Sequence, residues 1–333
     1  MQFENIYKFR NVGLFAVVAL VWGASFPAIN IGLESLPPVL FAAFRYDIAA
    51  LLLFGYVAYT GAAWRPTTYD DWLLIGLGGV LLVGAHFALL FTGQQYVTGG
   101  VASIVLSLTP VMTPVFALAL LPNQRLGLTG VLGLALGLLG VGIIAQPSPE
   151  ALAGGQLYGI VLLVLSATSF ALGAVLTVRM RTTLPMLSLQ AWMMGVGALS
   201  LHLTSALHPA ESLGAVEWTA TGVGAVLFLA VFASAIGYLA YFDLQERVGP
   251  IETSLVSYAT PVVATASGWA LLGEPVTDAT LLGFAVIAFG FWLCKWSTFT
   301  WKVSGIADRV RHPQAFRSPD MVVVGGNVYY RDR

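Results

Sequence analysis

Apolar residues fill the chain in ten successive runs, interrupted by proline, glycine and charged residues, near 11–33, 38–60, 71–92, 97–121, 127–145, 155–178, 184–207, 218–241, 251–272 and 277–296. A helix needs roughly 20 apolar residues to cross a hydrocarbon core of about 30 Å. Lipid offers the backbone no hydrogen-bond partners, so runs of this kind are helical. The pattern predicts an all-α integral membrane protein with ten transmembrane helices. Tight links at Pro37-Pro38, Pro122-Asn123 and Gly273-Glu274 make hairpins of neighbouring helices. The first run is too long for the apolar core of a signal peptide and is read as an uncleaved first span.

Composition agrees: the 333 residues are 58% hydrophobic and 9% charged, with a mean hydropathy of +0.83, against about 25% charged in soluble domains. The net charge of −1 and the lack of a basic stripe argue against a nucleic-acid partner. Location of charge says more than its total, because cytoplasmic loops collect lysine and arginine. With the N-terminus inside, every one of the 15 lysines and arginines except Arg45 falls in a cytoplasmic segment, while the outer loops carry only Glu34, Glu150, Glu211, Glu217, Glu274 and Asp278. One span more or fewer would scramble this. The expected placement is the cytoplasmic membrane, multi-pass, with both termini cytoplasmic.

The chain also resembles itself at an offset of about 150 residues. Gln94, Val97, Ser103, Val105, Thr109, Pro110 and Val111 recur as Gln245, Val248, Ser254, Val256, Thr260, Pro261 and Val262, and Leu132-Gly133 and Gly140 recur as Leu282-Gly283 and Gly290. Each unit holds five spans, an odd number, so the second enters from the opposite side. The expected fold is thus two inverted five-helix repeats, residues 1–146 and 155–296, joined through the Pro147–Gly155 stretch and followed by a segment, 297–333, outside the repeats. Inverted repeats let two related packings open one central site to either side in turn.

At this point the residues resemble the drug/metabolite transporter superfamily, EamA-type permeases. The resemblance lies in Trp22-Gly23-Ala24-Ser25-Phe26, in Phe41-Ala42-Ala43-Phe44-Arg45, in Ala102-Ser103 with Pro110 and Thr253-Ser254 with Pro261, and in Gly273-Glu274-Pro275. It covers residues 11–296 and implies a transporter of small metabolites, often an exporter of amino acids or related compounds, with a cavity between the halves. The sequence departs from the family at Asn123, where the first half usually repeats the Gly-Glu turn, and at Phe170-Ala171, in place of a Trp-Gly pair.

An ionisable group inside the hydrocarbon region costs about 2.5–3.5 kcal/mol on insertion scales and marks a functional candidate. At 1.5 Å per residue, Arg45, Asp47 and His86 lie at similar depth, about 10 Å below the outer surface. They are expected to line or support the cavity, with Asp47 or His86 as the carrier of a coupling proton. The alternative is that Arg45 snorkels outward and His86 is a hydrogen-bonding residue between helices. Asp243 and Glu252 fall at cytoplasmic span ends, where water reaches them.

Polar stripes supply further candidates: Trp22, Phe26 and Asn30 on the first helix; Ser103, Ser107 and Pro110 on the fourth; Ser166 and Ser169 on the sixth; Ser254, Ser257, Tyr258 and Pro261 on the ninth. A proline frees a carbonyl that a wet cavity can satisfy. The competing reading of the serines is close packing through small residues. Beyond the last span, Phe299, Val303, Ile306 and Val310 share one face of an amphipathic helix on the inner leaflet. The 321–330 stretch can pair around Gly325-Gly326-Asn327, but a lone hairpin is marginal in water, so a flexible tail is expected. One cysteine, Cys294, excludes a disulfide framework and a cysteine metal cluster. No His-Glu-x-x-His, Gly-x-Ser-x-Gly or phosphate-cradling loop occurs. These absences lead to the expectation of no cofactor, no catalytic residue and no metal. The expected partners are a small-molecule substrate and the bilayer. A membrane scaffold or enzyme subunit without transport is the alternative function.

Overall fold

The computed structural model describes residues 2–120, 128–145, 154–178, 180, 182–208, 211–248, 256–293, 321–324 and 327–330. Its helices follow the apolar runs. We label them α1 (Gln2–Leu33), α2 (Pro38–Thr60), α3 (Tyr69–Gln94), α4 (Gly99–Leu106, resuming as Thr109–Leu120), α5 (Leu128–Ala145), α6 (Gln156–Val178), α7 (Met186–Ala206), α8 (Ala220–Phe228 continuing to Val248), α9 (Val256–Leu272) and α10 (Asp278–Leu293). Among the described residues seven helices are long and apolar enough to cross a membrane, and further apolar helices are shorter. Parts of the predicted fourth, fifth, ninth and tenth runs fall outside the described residues. So does residue 254 of the ninth-helix stripe, and so does the predicted amphipathic helix.

Helix ends follow local chemistry. Pro38 opens α2, where its missing N–H costs nothing, and Gly61 closes it at φ 67°, a left-handed turn that glycine adopts without strain. Thr68 caps α3 reciprocally with Asp71. In α4 the helix breaks at Ser107-Leu108, just before Pro110, which cannot donate to the carbonyl of Leu106. The Thr109 hydroxyl takes over that carbonyl at 2.8 Å, so the proline leaves no bare acceptor.

Two features were not visible in the apolar pattern. The middle of α3, Gly79–Ala85, and the middle of α8, Leu229–Ile236, are π-helical. Such segments are rare and cluster at functional sites.

The links between helices gather at two ends. At one, the Glu211 carboxylate accepts from the Val39 and Leu40 amides at 2.9 and 2.8 Å, and the Glu217 amide donates to the Ser35 carbonyl. At the other, the fully buried Asp71 accepts from the amides of Thr67, Thr68 and Thr183 and the hydroxyls of Thr182 and Thr183, at 2.7–3.0 Å. At that same end Asp243 takes Arg10 at 3.0 Å and Arg247 at 2.7 Å. Burial acts to raise the Asp243 carboxyl, but the hydrogen bonds and charges of Arg247 and Arg10 outweigh it and hold it below the usual carboxylate range.

Packing between the first five helices and the second five is extensive. α1 lies along α8 and α9, and α6 along α3 and α4; α2 meets α7 and the π-helical part of α8, while α7 meets α2 and the π-helical part of α3. α5 and α10 cross on glycines: a Cβ on Gly283 would lie 2.7 Å from the Gly140 carbonyl oxygen, and one on Gly290 2.7 Å from that of Gly133. The buried centre is apolar, with Phe41, Tyr46, Phe91 and Leu163 fully enclosed. The outside is apolar too: Leu51, Leu139, Leu203, Leu282 and Phe289 are all more than half exposed. Soluble monomers rarely show such a surface; a lipid-facing one requires it.

The 321–330 stretch is a correction. Met321–Val324 and Asn327–Tyr330 pair antiparallel, Met321 opposite Tyr330, where a flexible tail was expected. The runs of valine in one strand and of valine and tyrosine in the other favour the extended pairing.

Candidate functional site

A cavity of about 160 Å³ lies between the two sets of five helices. Trp22, Phe26, Arg45, His86, Ser103, Ser107 and Ser257 all face it, as the sequence predicts; Ser25, Phe87, Thr109, Phe170, Tyr238 and Thr260 join them.

Arg45 is 3% exposed and does not snorkel. Its Nε–H donates to the Ser234 hydroxyl at 2.9 Å, and its guanidinium carbon stands 4.8 Å from the Phe87 ring centre and 5.0 Å from that of Tyr46. Among the described residues no carboxylate lies within 4 Å of it. Ser234 belongs to the π-helical part of α8, and so does Ala233, whose carbonyl accepts the Trp22 indole N–H at 3.0 Å. The widened turn thus presents groups of α8 to both α1 and α2. Trp22 also meets the rings of Tyr238 and Tyr241 at 5.5 and 5.1 Å.

His86 follows the π-helical part of α3. Its Nδ1 lies 3.1 Å from the Ser166 carbonyl and 2.8 Å from the Ser166 hydroxyl, which itself donates to the His86 carbonyl. His86 therefore both lines the cavity and joins α3 to α6, and Ser166 stands behind it, fully buried. Phe170, one of the departures from the family pattern, packs on the His86 ring at 5.0 Å.

Other predicted residues stand elsewhere. Asp47 points away from Arg45 and His86 and meets His202 of α7 at 2.7 Å, each a little over a third exposed; residues two apart on a helix face different ways. Asn30 leaves the cavity face and joins a polar network at the Glu211 end. Its amide donates to Glu274 Oε1 at 2.6 Å. Its carbonyl oxygen accepts from Gln94, which also donates to the Phe26 carbonyl. Glu274 in turn accepts from the Gly99 and Gly100 amides at 3.0 and 3.4 Å, a carboxylate seated on the positive end of α4. Ser169 donates to the Leu81 carbonyl, Tyr258 packs on Phe291 at 4.3 Å, Pro261 borders a separate apolar cleft with Ile104, and Pro110 contributes through its neighbour Thr109. Ser254 lies outside the described residues. Ser103 and Ser107 donate to the carbonyls of Gly100 and Ile104 in their own helix, as small packing residues do.

A membrane bundle with a buried cavity between matched sets of helices is the shape of a carrier, and comparison with known proteins decides which kind. The model of the EamA-like transporter family matches residues 10–146 and 157–295. The chain belongs to that family. Similar proteins include the uncharacterized inner membrane transporter YedA of Escherichia coli strain K12, 30% identical over 87% of this chain and 91% of its own. A probable amino-acid metabolite efflux pump of Salmonella typhimurium is 30% identical over 85% and 94%, and the uncharacterized transporter YvbV of Bacillus subtilis 28% over 91% and 97%. One crystal structure, 20% identical, superposes with a TM-score of 0.59 over 85% of this chain and 96% of that one, a likeness of fold. The cavity is walled by helices of both matched stretches.

Proposed function

We propose that this EamA-like protein is a secondary transporter that moves a small amphipathic metabolite, amino-acid-like in size, out of the cell by alternating access, with ten spans arranged as two inverted five-helix repeats. The reciprocal packing carries the reading. If the halves are related by a two-fold axis in the membrane plane, every contact between helix i and helix j of opposite halves must have a mate. α1 on α8 has α6 on α3; α1 on α9 has α6 on α4; α2 on the π-helical part of α8 has α7 on that of α3. Gly133 and Gly140 correspond to Gly283 and Gly290, and Gly140 meets Gly283 where Gly133 meets Gly290. Self-complementarity of this kind is what a two-fold demands, and it allows two equivalent packings around one site.

The arginine and lysine pattern supports cytoplasmic termini, which makes the Glu274 network the outer gate and the Asp71 and Asp243 clusters inner fastenings. The names of the Escherichia and Salmonella relatives, an inner membrane transporter and a probable efflux pump, support an inner-membrane location and export. We assign the coupling proton to the Asp47–His202 pair, because it is half-exposed while His86 Nδ1 is engaged by Ser166. Purified protein in liposomes tests the proposal: counterflow of at least one small metabolite is expected, with its pH dependence abolished in Asp47→Asn. Absence of flux for every solute of a broad metabolite panel would refute transport and favour a scaffold or an enzyme subunit.

A further inference from the structure

We propose that the cavity recognises the carboxylate of an amphipathic monocarboxylic acid through Arg45, and that it holds no counter-charge for an α-ammonium, so that the solute is an amine-free organic acid. The inference rests on the transport reading and narrows its solute.

A guanidinium that is 97% removed from solvent without a carboxylate is a costly arrangement, since a buried charge calls for a partner. Arg45 spends only Nε–H, on Ser234. The rings of Phe87 and Tyr46 supply cation–π attraction, which offsets part of the cost and restrains the side chain. The terminal nitrogens make no hydrogen bond to a described residue, and the residue borders the cavity. A planar fork of N–H donors matches a carboxylate bidentately. The ligand therefore completes the charge balance that the protein leaves open.

The rest of the lining narrows the solute further. Among the described residues it holds no aspartate or glutamate; its polar groups are hydroxyls and His86, and the remainder is aromatic or aliphatic. An ammonium entering beside Arg45 would meet a like charge and neutral acceptors only. A dianionic phosphate would bring two negative charges to a single cation. The volume, about 160 Å³, is close to the ~150 Å³ of an engineered cavity in another protein that admits benzene. One ring or one branched four- to five-carbon chain plus a carboxylate fits that scale.

The test is ligand stabilisation of the purified full-length protein, read as the unfolding midpoint against ligand concentration. Two series are used: 3-phenylpropanoate, 3-phenylpropanamide, phenethylamine and L-phenylalanine; and 4-methylpentanoate, its amide and L-leucine. In at least one series the acid is expected to bind at least tenfold tighter than its amide, amine and amino-acid analogues, the scale of a charge-assisted pair. Arg45→Gln is expected to erase that preference, and Arg45→Lys to restore part of it. Should Arg45→Gln fail to fold, the wild-type series still decides. Equal binding of acid and amide, tighter binding of the amine or amino acid, or no binding in either series overturns the inference. If the last result comes with liposome flux of some other solute, transport stands and only the anion assignment falls; if it comes with no flux at all, both fall.

Discussion

Replacing Glu274 with glutamine keeps the shape of the outer network and removes its charge. Glu274 links the α9–α10 turn to Asn30 of α1 and to the first amides of α4. On the proposed alternating access, opening the cavity at that end separates these elements, so the network stabilises only the closed state. Charge-assisted hydrogen bonds contribute about 1.5–3 kcal/mol against ~1 for neutral ones, and a carboxylate at a helix N-terminus adds about 0.3–1 kcal/mol. Two amide bonds downgraded, discounted for the partial exposure of Glu274, come to roughly 2 kcal/mol. At 1.4 kcal/mol per tenfold, the closed-to-open ratio falls about 30-fold.

Cysteine accessibility reads that ratio directly. The chain has one cysteine, so Cys294→Ala gives a clean background, and Ser103→Cys places a thiol on the cavity wall with little change in volume. A membrane-impermeant thiol reagent added outside is expected to label Ser103→Cys about 30-fold faster in the Glu274→Gln background. Asn30→Ala, which removes the same bridge from the other side, is expected to do likewise. An unchanged labelling rate in both would refute the gate and leave Glu274 a helix cap and nothing more.

Three further outcomes follow from other parts of the fold. Asp71→Ala orphans buried amides at about 1–3 kcal/mol each, so a loss of at least ~3 kcal/mol is expected in denaturant unfolding, with Asp71→Asn less harmful because one acceptor oxygen survives. Gly283→Leu drives a side chain into the Gly140 carbonyl and is expected to cost about 1–3 kcal/mol and to slow transport, read by thermal midpoint and by flux. For Asp243 the folded carboxyl sits below its usual range, so its contribution is present at neutral pH and lost as pH falls through that lowered value; the thermal midpoint is expected to drop on acidification more in wild type than in Asp243→Asn.

The helices were legible because lipid imposes one demand, an apolar run of sufficient length, that each sequence segment meets by itself. Trp22, Phe26, Arg45, His86, Ser103, Ser107 and Ser257 were legible for a related reason: helical spacing puts polar and aromatic residues on one face, and a charge in an apolar run has few places to go. Asn30 obeyed the same spacing and still left the cavity, because one turn further along α1 the facing element is the Gly273-Glu274-Pro275 turn, which the apolar pattern assigns to a loop. His202 was missed as the partner of Asp47, since nothing in a single sequence relates positions on α2 and α7. The π-helical segments were invisible for a physical reason: Gly79–Ala85 has no polar residue and Leu229–Ile236 has Ser234 alone, too few polar positions to reveal a widened turn.

On the proposed two-fold arrangement, the two halves differ at the few side chains that give the cavity its polarity. Aligned on their N-cap prolines, Pro37 and Pro185, α2 and α7 place Arg45 opposite Met193. Arg45 bears on the π-helical part of α8 through Ser234, near its end; Met193 packs at the start of the π-helical part of α3, against Gly78 and Gly79. The two contacts differ in place and in chemistry: one half contributes a cation and its hydroxyl support, the other a packed thioether. His86 has no histidine counterpart either, since α8 reaches the cavity with Tyr238, just past its π-helical part. On the proposed two-fold, Arg45 gives the cavity a single polar pole that the other half does not repeat. Arg45→Met, which keeps an unbranched side chain and removes the charge, is expected to preserve the thermal midpoint far better than it preserves binding of a carboxylate. A parallel loss of both would show that Arg45 serves the scaffold rather than the solute.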